Sequence, residues 1–236
     1  MEFTKITAPS LKDLFVQQIE EKILSGQLPV GCKMPPEREM AEQMKVSRAV
    51  VNGGINELKR KGFLEVLPRQ GTYVADFSRN GNLQTLIALL EYRGNKLDKA
   101  GIRAILEIRT ALEQLAVGLV IDSASAEAIN QLELTAKKLK STDSIQKAAQ
   151  IAFQYHHDLA YHAGNTVLTL IYSSFKEVCI VLWVRFCKLY GIQALYGHVI
   201  HLQRLLNDRD KEGANQWIQH YLTETIEGSQ QIYEES

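Results

Sequence analysis

Proline punctuates only the beginning of this chain. All five prolines, Pro9, Pro29, Pro35, Pro36 and Pro68, fall within the first 68 of 236 residues. Proline stops a helix because it lacks the backbone donor and clashes with the preceding turn, so the chain beyond Pro68 is free to be helical throughout. Apolar residues recur there at helical spacing, which predicts amphipathic helices over about 83–92, 99–121, 126–139, 145–162, 167–189, 194–206 and 211–233. Short connections imply antiparallel bundle packing. The stretch 175–186 is apolar nearly all round, as a helix surrounded by others would be.

The proline-bearing part reads differently. Leu11, Leu14, Phe15, Ile19, Ile23 and Leu24 follow Ser10, a plausible cap, at helical spacing and stop at Gly26. Pro35, Pro36 and Glu37 open a second helix to about Met44, with Glu37 and Glu39 in the first turn where the macrodipole favours acids. After a short break, Ser47 caps a third helix that ends at Gly62. Residues 63–67 and 72–75 are β-prone runs around Pro68, Arg69, Gln70 and Gly71, a hairpin signal. This order is that of a winged helix-turn-helix, whose recognition helix enters the DNA major groove. The polar, turn-forming stretch 76–82 reads as a linker and sets the domains at 1–78 and 79–236. The expected fold class is an α+β winged helix-turn-helix followed by an all-α antiparallel bundle.

Charge and cysteine usage narrow the partners. Lys plus Arg number 27 and Asp plus Glu 27, a formal net charge of zero, which excludes a uniformly basic nucleic-acid coat and an acidic disordered chain. A nucleic acid must then be met by a local patch. The three cysteines form no CxxC pair, so neither a disulfide framework nor a cysteine-rich zinc site is expected. The longest uncharged apolar run, 178–184, is far below the ~20 residues of a membrane span, and no basic-then-apolar signal pattern opens the chain. A cytoplasmic protein without a membrane partner is expected.

The segment MPPEREMAEQMKVSRAVVNGGINELKRKGFLEV followed by RQGTYV carries a PxERE opening, VSR at the start of the third helix and a G-T-x-V wing, all in register. It resembles the DNA-binding domain of the GntR superfamily of bacterial transcription regulators over residues 11–74. The resemblance implies a double-stranded DNA operator contacted by Arg38, Ser47, Arg48, Ala49, Asn52, Arg69, Gln70 and Gly71. The residue types suit those roles: Arg48, second residue of the third helix, can address guanine O6 and N7, and Ser47 can bind a phosphate or cap its own helix. One departure stands out, because relatives commonly read VSR-x-x-x-R-E-A where this chain has Asn52, Gly53 and Gly54. Asparagine prefers adenine edges, and each glycine weakens a helix by about 1 kcal/mol relative to alanine.

Beyond the linker, AILEIRTALEQLAVGLV, SASAEAINQLE and HHDLAYHAGNTVL resemble the effector domain of the FadR subfamily. The resemblance implies a homodimer on a pseudo-palindromic operator and a pocket for a small effector, either a carboxylic acid on a metal or an acyl-CoA. In the family's metal pattern the aspartate position is Ala152 here, His156 matches, and Tyr221 stands at the fourth ligand's place, leaving only His156 and one of His198 or His201. No metal and no cofactor are therefore expected, and the effector reads as an organic acid or acyl-CoA lined by Arg109, His156, Tyr172, Trp183, His201, Trp217 and Tyr221.

Arg109 falls on an apolar stripe, and a charge aimed into a core needs an anionic partner. Glu113, one turn on, and an effector anion are both candidates. His156 likewise reads as a hydrogen-bonded core residue or a ligand contact, and Trp183 and Trp217 as bundle core or pocket. No nucleophile with a neighbouring base, Gly-rich phosphate loop or HExxH appears, so an enzyme is not expected. A metal-dependent carboxylate sensor and an effector-less architectural DNA-binding protein remain the competing readings.

Overall fold

The computed structural model describes residues 9–95 and 99–233. The chain divides into two compact units between residues 92 and 93. In the first, α1 (Leu11–Leu24) is closed by a capping box in which Ser10 accepts from the Asp13 amide and Asp13 accepts from the Ser10 amide. α2 (Glu37–Met44) follows Pro36, and its end is turned by Lys45 in left-handed backbone, φ 53°. α3 (Arg48–Arg60) begins at Ser47, whose hydroxyl accepts from the Val50 amide. The strands β1 (Leu64–Leu67) and β2 (Gly71–Val74) pair antiparallel with Leu67 opposite Gly71. The segment before α2 bonds to β2, through Met34 N–H to Thr72 O at 2.8 Å and Val74 N–H to Cys32 O at 2.9 Å.

The core of this unit is one apolar cluster. α1 supplies Phe15, Val16, Ile19 and Ile23, α3 supplies Val51, Ile55 and Leu58, and Met40, Phe63, Leu64 and Val74 close it. Gly54 is where α3 crosses α1. A Cβ there would stand 2.2 Å from Phe15 Cδ1, so glycine is required for the two helices to approach this closely. A Cβ on Gly53 would meet nothing nearer than Lys12 Cδ at 3.5 Å, an ordinary contact.

The stretch 76–82 is not an open linker. It forms α4 (Phe77–Asn80), capped by Asp76, and joins α5 (Leu83–Asn95). Asn82 donates to the Arg60 carbonyl at 2.9 Å and the Thr85 hydroxyl donates to that of Lys61, so the segment closes the C-terminal end of α3, and Ala88 joins the core. The division between units accordingly falls beyond Arg79, inside α5.

The second unit is helical. It comprises α6 (Lys99–Ser123), α7 (Ala126–Lys138), a single 3-10 turn (Leu139–Ser141), α8 (Ile145–His162), α9 (Thr166–Ser174), α10 (Lys176–Tyr190), α11 (Ile192–Asn207) and α12 (Lys211–Ile226). Ser125, Ser144, Asn165 and Asp210 cap α7, α8, α9 and α12 with their side chains. α6 packs on α12 and α8, and α8 also packs on α7 and α10. A buried chain of bonds ties three helices: Tyr155 of α8 donates to Gln203 of α11, which donates to the Ile129 carbonyl of α7.

Two helices differ from expectation. The run 167–189 breaks at Phe175 into α9 and α10, bent by 61°. Ser173 and Ser174 return their hydroxyls to the Thr169 and Leu170 carbonyls at 2.8 and 3.0 Å, the back-bonding that bends helices. The last helix stops at Ile226, because Glu224 captures the amide and hydroxyl of Ser229 and draws the chain back. Ile232 is then buried at 1% exposure. Among the described residues no single helix is long and apolar enough to cross a membrane; α9 and α10 together reach that length, with the bend between them.

Candidate nucleic-acid interface and effector cavity

The amphipathic division of α3 sets the first site. Val51, Ile55 and Leu58 are turned into the core, which leaves Ser47, Arg48, Ala49, Asn52 and Asn56 exposed. The Ser47 oxygen is used as a cap, accepting from Val50 N–H at 3.3 Å, and its proton remains for a phosphate. Asn52 is held from both sides: its amide donates to Glu37 at 3.2 Å, and its oxygen accepts from Asn56 at 3.1 Å. Glu37 thus stands beside an uncharged amide. Arg38 is exposed and pairs with Glu42 at 3.3 Å; such exposed pairs are weak, so the guanidinium can exchange partners.

The wing tip is built to project side chains. Three residues, Pro68, Arg69 and Gln70, connect the paired Leu67 and Gly71. Arg69 adopts left-handed backbone at φ 64° and Gly71 φ 117°, and Arg69, Gln70 and Gly71 are all exposed. All eight residues expected at a DNA interface therefore face solvent.

The second site is inside the helical unit. Arg109 and Glu113 of α6 are 2% and 1% exposed. Arg109 Nε and Nη2 donate to Glu113 Oε1 at 3.0 and 2.5 Å, Tyr172 of α9 donates to the same oxygen at 3.3 Å, and Tyr221 of α12 donates to Oε2. The guanidinium lies over the Trp183 ring of α10, 4.5 Å from its centroid, and His156 of α8 stacks on that ring at 5.2 Å. Of the two partners that the sequence left open for Arg109, the chain itself supplies the anion.

Burial works against every charge here, and only the ion pair overcomes it. Burial alone would raise the Glu113 pKa, but the Arg109 charge above all, with the Tyr221 hydroxyl donating to it, holds it below the usual carboxylate value. Burial opposes the charge on Arg109 too, and Glu113 keeps its pKa well above normal. His156 is pushed down to about 4 by burial, which outweighs the opposing pull of Glu113, with Arg109 adding to it, so the ring is neutral near pH 7. Burial, then Glu113, raises the tyrosine hydroxyls of Tyr172 and Tyr221 well above their ordinary value.

Beside this network lies a cavity of about 30 Å³, room for about one water molecule. Arg109, His156, His198, Tyr221 and Thr225 are its polar walls, and Leu106, Leu182, Trp183, Phe186, Leu195, Val199, Leu202, Leu222 and Ile232 its apolar ones. An outer hollow of about 210 Å³ shares His198 and Tyr221 with it and adds Trp217, His220, Glu224, Ser229 and Gln230.

The structure thus brings together Arg109, His156, Trp183 and Tyr221 around one cavity, with Tyr172 behind them on Glu113. It separates Trp217 and His201 from it. Trp217 is half-buried in the outer hollow with its ring N–H on the His198 carbonyl at 3.2 Å, and His201 is exposed against the Trp217 ring at 4.1 Å. The inward face of α11 is Leu195, Val199, Leu202 and Leu206, which places His198 on the cavity and His201 off it. His198 was absent from the expected liners, although its spacing of three from Leu195 and four from Leu202 is the sequence signal for it.

A resident metal does not fit this donor set. Among the described residues no three His, Cys, Asp or Glu side chains are gathered to hold one. Glu113, 3.7 Å from His156 Nδ1, is engaged by Arg109, Tyr172 and Tyr221.

Comparison with known proteins assigns each unit a family. The family of gntR bacterial regulatory proteins matches residues 12–74, and the FCD domain matches residues 104–224. The chain belongs to the GntR family, with a winged helix-turn-helix and the FCD domain of its FadR-like branch. It is 28% identical over 176 residues to the HTH-type transcriptional regulator Mce2R of Mycobacterium tuberculosis, covering 75% of this chain and 73% of that one. It is 28% identical over 186 residues to the HTH-type transcriptional regulator LutR of Bacillus subtilis, covering 74% and 80%. The structure of Lar, described as controlling expression of the Listeria monocytogenes agr system, superposes with a TM-score of 0.58 at 14% identity over 94% of this chain and 97% of that one. That likeness concerns the fold. The protein is a transcription regulator of this family with an effector-binding type of C-terminal domain.

Proposed function

We propose that the protein is a ligand-responsive, sequence-specific DNA-binding regulator that acts as a homodimer on a pseudo-palindromic operator in the bacterial cytoplasm. One recognition helix reads only a few base pairs, and two-fold docking doubles the site. The observation that carries the reading is the exposed face of the first two turns of α3, where Arg48 and Asn52 face solvent on a helix whose opposite face is locked into the core. Arg48 reads a guanine edge and Asn52, released from Glu37, an adenine edge; Arg38, Ser47, Ala49 and the wing residues Arg69, Gln70 and Gly71 set the register on the backbone. The FCD unit holds an organic effector in the cavity beside Arg109, His156, Trp183 and Tyr221 without a metal.

The expectation of an organic acid or acyl-CoA rests on the family resemblance and on a metal-free, aromatic and apolar lining, with Arg109 open to Glu113 or to an effector anion. Glu113 pairs with Arg109, so this guanidinium is not left free for an effector's charge. Selection of bound sequences from a random duplex pool tests the DNA reading. A two-fold-symmetric motif should emerge, and Arg48→Ala should blur one position in each half. Uniform enrichment would mean an architectural protein without sequence preference.

A further inference from the structure

Among the described residues of the helical unit, one buried side-chain polar atom has no hydrogen-bond partner, and it stands on the wall of the inner cavity. Around it, Arg109 and Tyr221 donate to Glu113, and the Thr225 hydroxyl donates to the Tyr221 carbonyl at 2.7 Å. The atom belongs to His156. It is 4% exposed, its Nδ1 has no hydrogen-bond partner, and Glu113 at 3.7 Å is beyond reach. An unmade bond on a buried polar atom is costly, and one beside a cavity is relieved by a ligand that fills it.

Charge narrows the ligand further. Arg109 and Glu113 cancel, and burial keeps His156 and His198 neutral, each pushed down to about 4. Among the described residues the wall carries no net charge. A carboxylate or phosphate would leave water for a site whose described residues offer no free cation, and would have to compete with Glu113 for one guanidinium. An ammonium would meet a carboxylate that already accepts from three side chains.

We infer that the effector is an uncharged, largely apolar molecule with a single hydrogen-bonding group, seated in this cavity with that group on the His156 imidazole. The inference rests on the regulatory reading above and narrows its effector class. Leu106, Leu182, Phe186, Val199, Leu222 and Ile232 receive the apolar body. The cavity is about 30 Å³, so seating a molecule larger than water requires its wall side chains, Ile232 among them, to be displaced. The segment that carries Ile232 is held by the Tyr190 hydroxyl on the Gln231 carbonyl at 2.7 Å and by Glu224 on Ser229.

The test is calorimetric titration of a homologous series of n-alkanols, and of the n-alkanoates and n-alkylammonium ions of the same chain lengths, into the full chain at neutral pH. The alkanols should bind at least about tenfold tighter than the matched ions, since neither ion finds a free counter-charge. In His156→Phe, whose ring retains the stack on Trp183, alkanol binding should be lost while the near-ultraviolet dichroism stays that of the wild type. Should that variant misfold, the wild-type comparison of alkanols with ions still decides. Ions binding as tightly as alkanols overturn the inference, as does the absence of binding by any probe; alkanol affinity unchanged in a folded His156→Phe removes the imidazole from it. Operator affinity measured in the same samples separates this inference from the regulatory reading. Alkanols that bind without altering it support the ligand class and refute the regulation, whereas alkanoates that bind preferentially and alter it do the reverse.

Discussion

Replacing Glu113 by Gln keeps the shape of the side chain and one accepting oxygen but removes the charge that Arg109 faces. Both residues are almost fully buried, at 1% and 2% exposure, so solvent does little to screen what is left. Breaking a buried ion pair on one side costs about 3–5 kcal/mol, because an uncompensated guanidinium stays in the core. At a urea slope of about 2 kcal/mol/M, the unfolding midpoint should fall by roughly 2 M. Arg109→Met leaves a carboxylate that still accepts from Tyr172 and Tyr221, so its cost should sit at the lower end of that range. The double variant removes both charges together and should be less destabilised than the sum of the singles, by about 2–3 kcal/mol. Both tryptophans, Trp183 and Trp217, lie in the second unit, so tryptophan fluorescence follows that unit alone. Protein concentration is held constant, since association adds apparent stability. If Glu113→Gln unfolds within about 1 kcal/mol of the wild type, or the double variant equals the sum, the pair does not neutralise the cavity wall as described.

Adjacent glycines in α3 should respond in opposite directions. Gly53→Ala has an ordinary contact with Lys12 and should stabilise the helix by about 0.5–1 kcal/mol, while Gly54→Ala drives a methyl into the Phe15 ring and should cost about 1–3 kcal/mol, both read by scanning calorimetry. Acid should weaken the second unit before its carboxylates titrate. His156 and His198 bind protons near pH 6.5 when unfolded and only near 4 when folded, so stability falls as pH drops through that window, by up to roughly 3 kcal/mol per histidine, and is flat above it. Urea midpoints that do not move between pH 7 and pH 5 would contradict this burial. Arg48→Ala should cost about 1–3 kcal/mol on the selected operator and little on random duplex in fluorescence anisotropy; an equal loss on both would make Arg48 a phosphate contact only.

What the sequence made legible was local. The caps at Ser10 and Ser47, the glycine stop at Gly62 and the hairpin around Arg69 and Gln70 depend on near neighbours and appear where expected. Apolar periodicity placed Arg109 and His156 inward for the same reason. The choice between Glu113 and a ligand for Arg109 was settled by Tyr172 and Tyr221, which lie 59 and 108 residues from Glu113. His198 and His201, three positions apart on one helix, differ by only about 60° in direction. Which of them faces the cavity depends on how Leu195, Val199 and Leu202 rotate α11 in the bundle. The break at Phe175 was hidden because serine back-bonding is compatible with a continuous helical pattern and shows only when the bend is formed. Gly54 read as a weak point in a helix; it is the contact that lets α3 lie against Phe15.

The central claim, that the cavity and the DNA-reading surface belong to one ligand-responsive regulator, is tested most directly by a linkage measurement. Operator affinity is measured with and without a saturating concentration of the tightest-binding n-alkanol, and the alkanol's own affinity is measured for free and operator-bound protein. Coupling free energy is reciprocal, so the two ratios must be the same factor, about 5–150-fold for ordinary allosteric coupling. Equal, non-unit ratios are the predicted result. An operator affinity unchanged by alkanol at saturation, with alkanol binding identical on free and bound protein, would contradict the account.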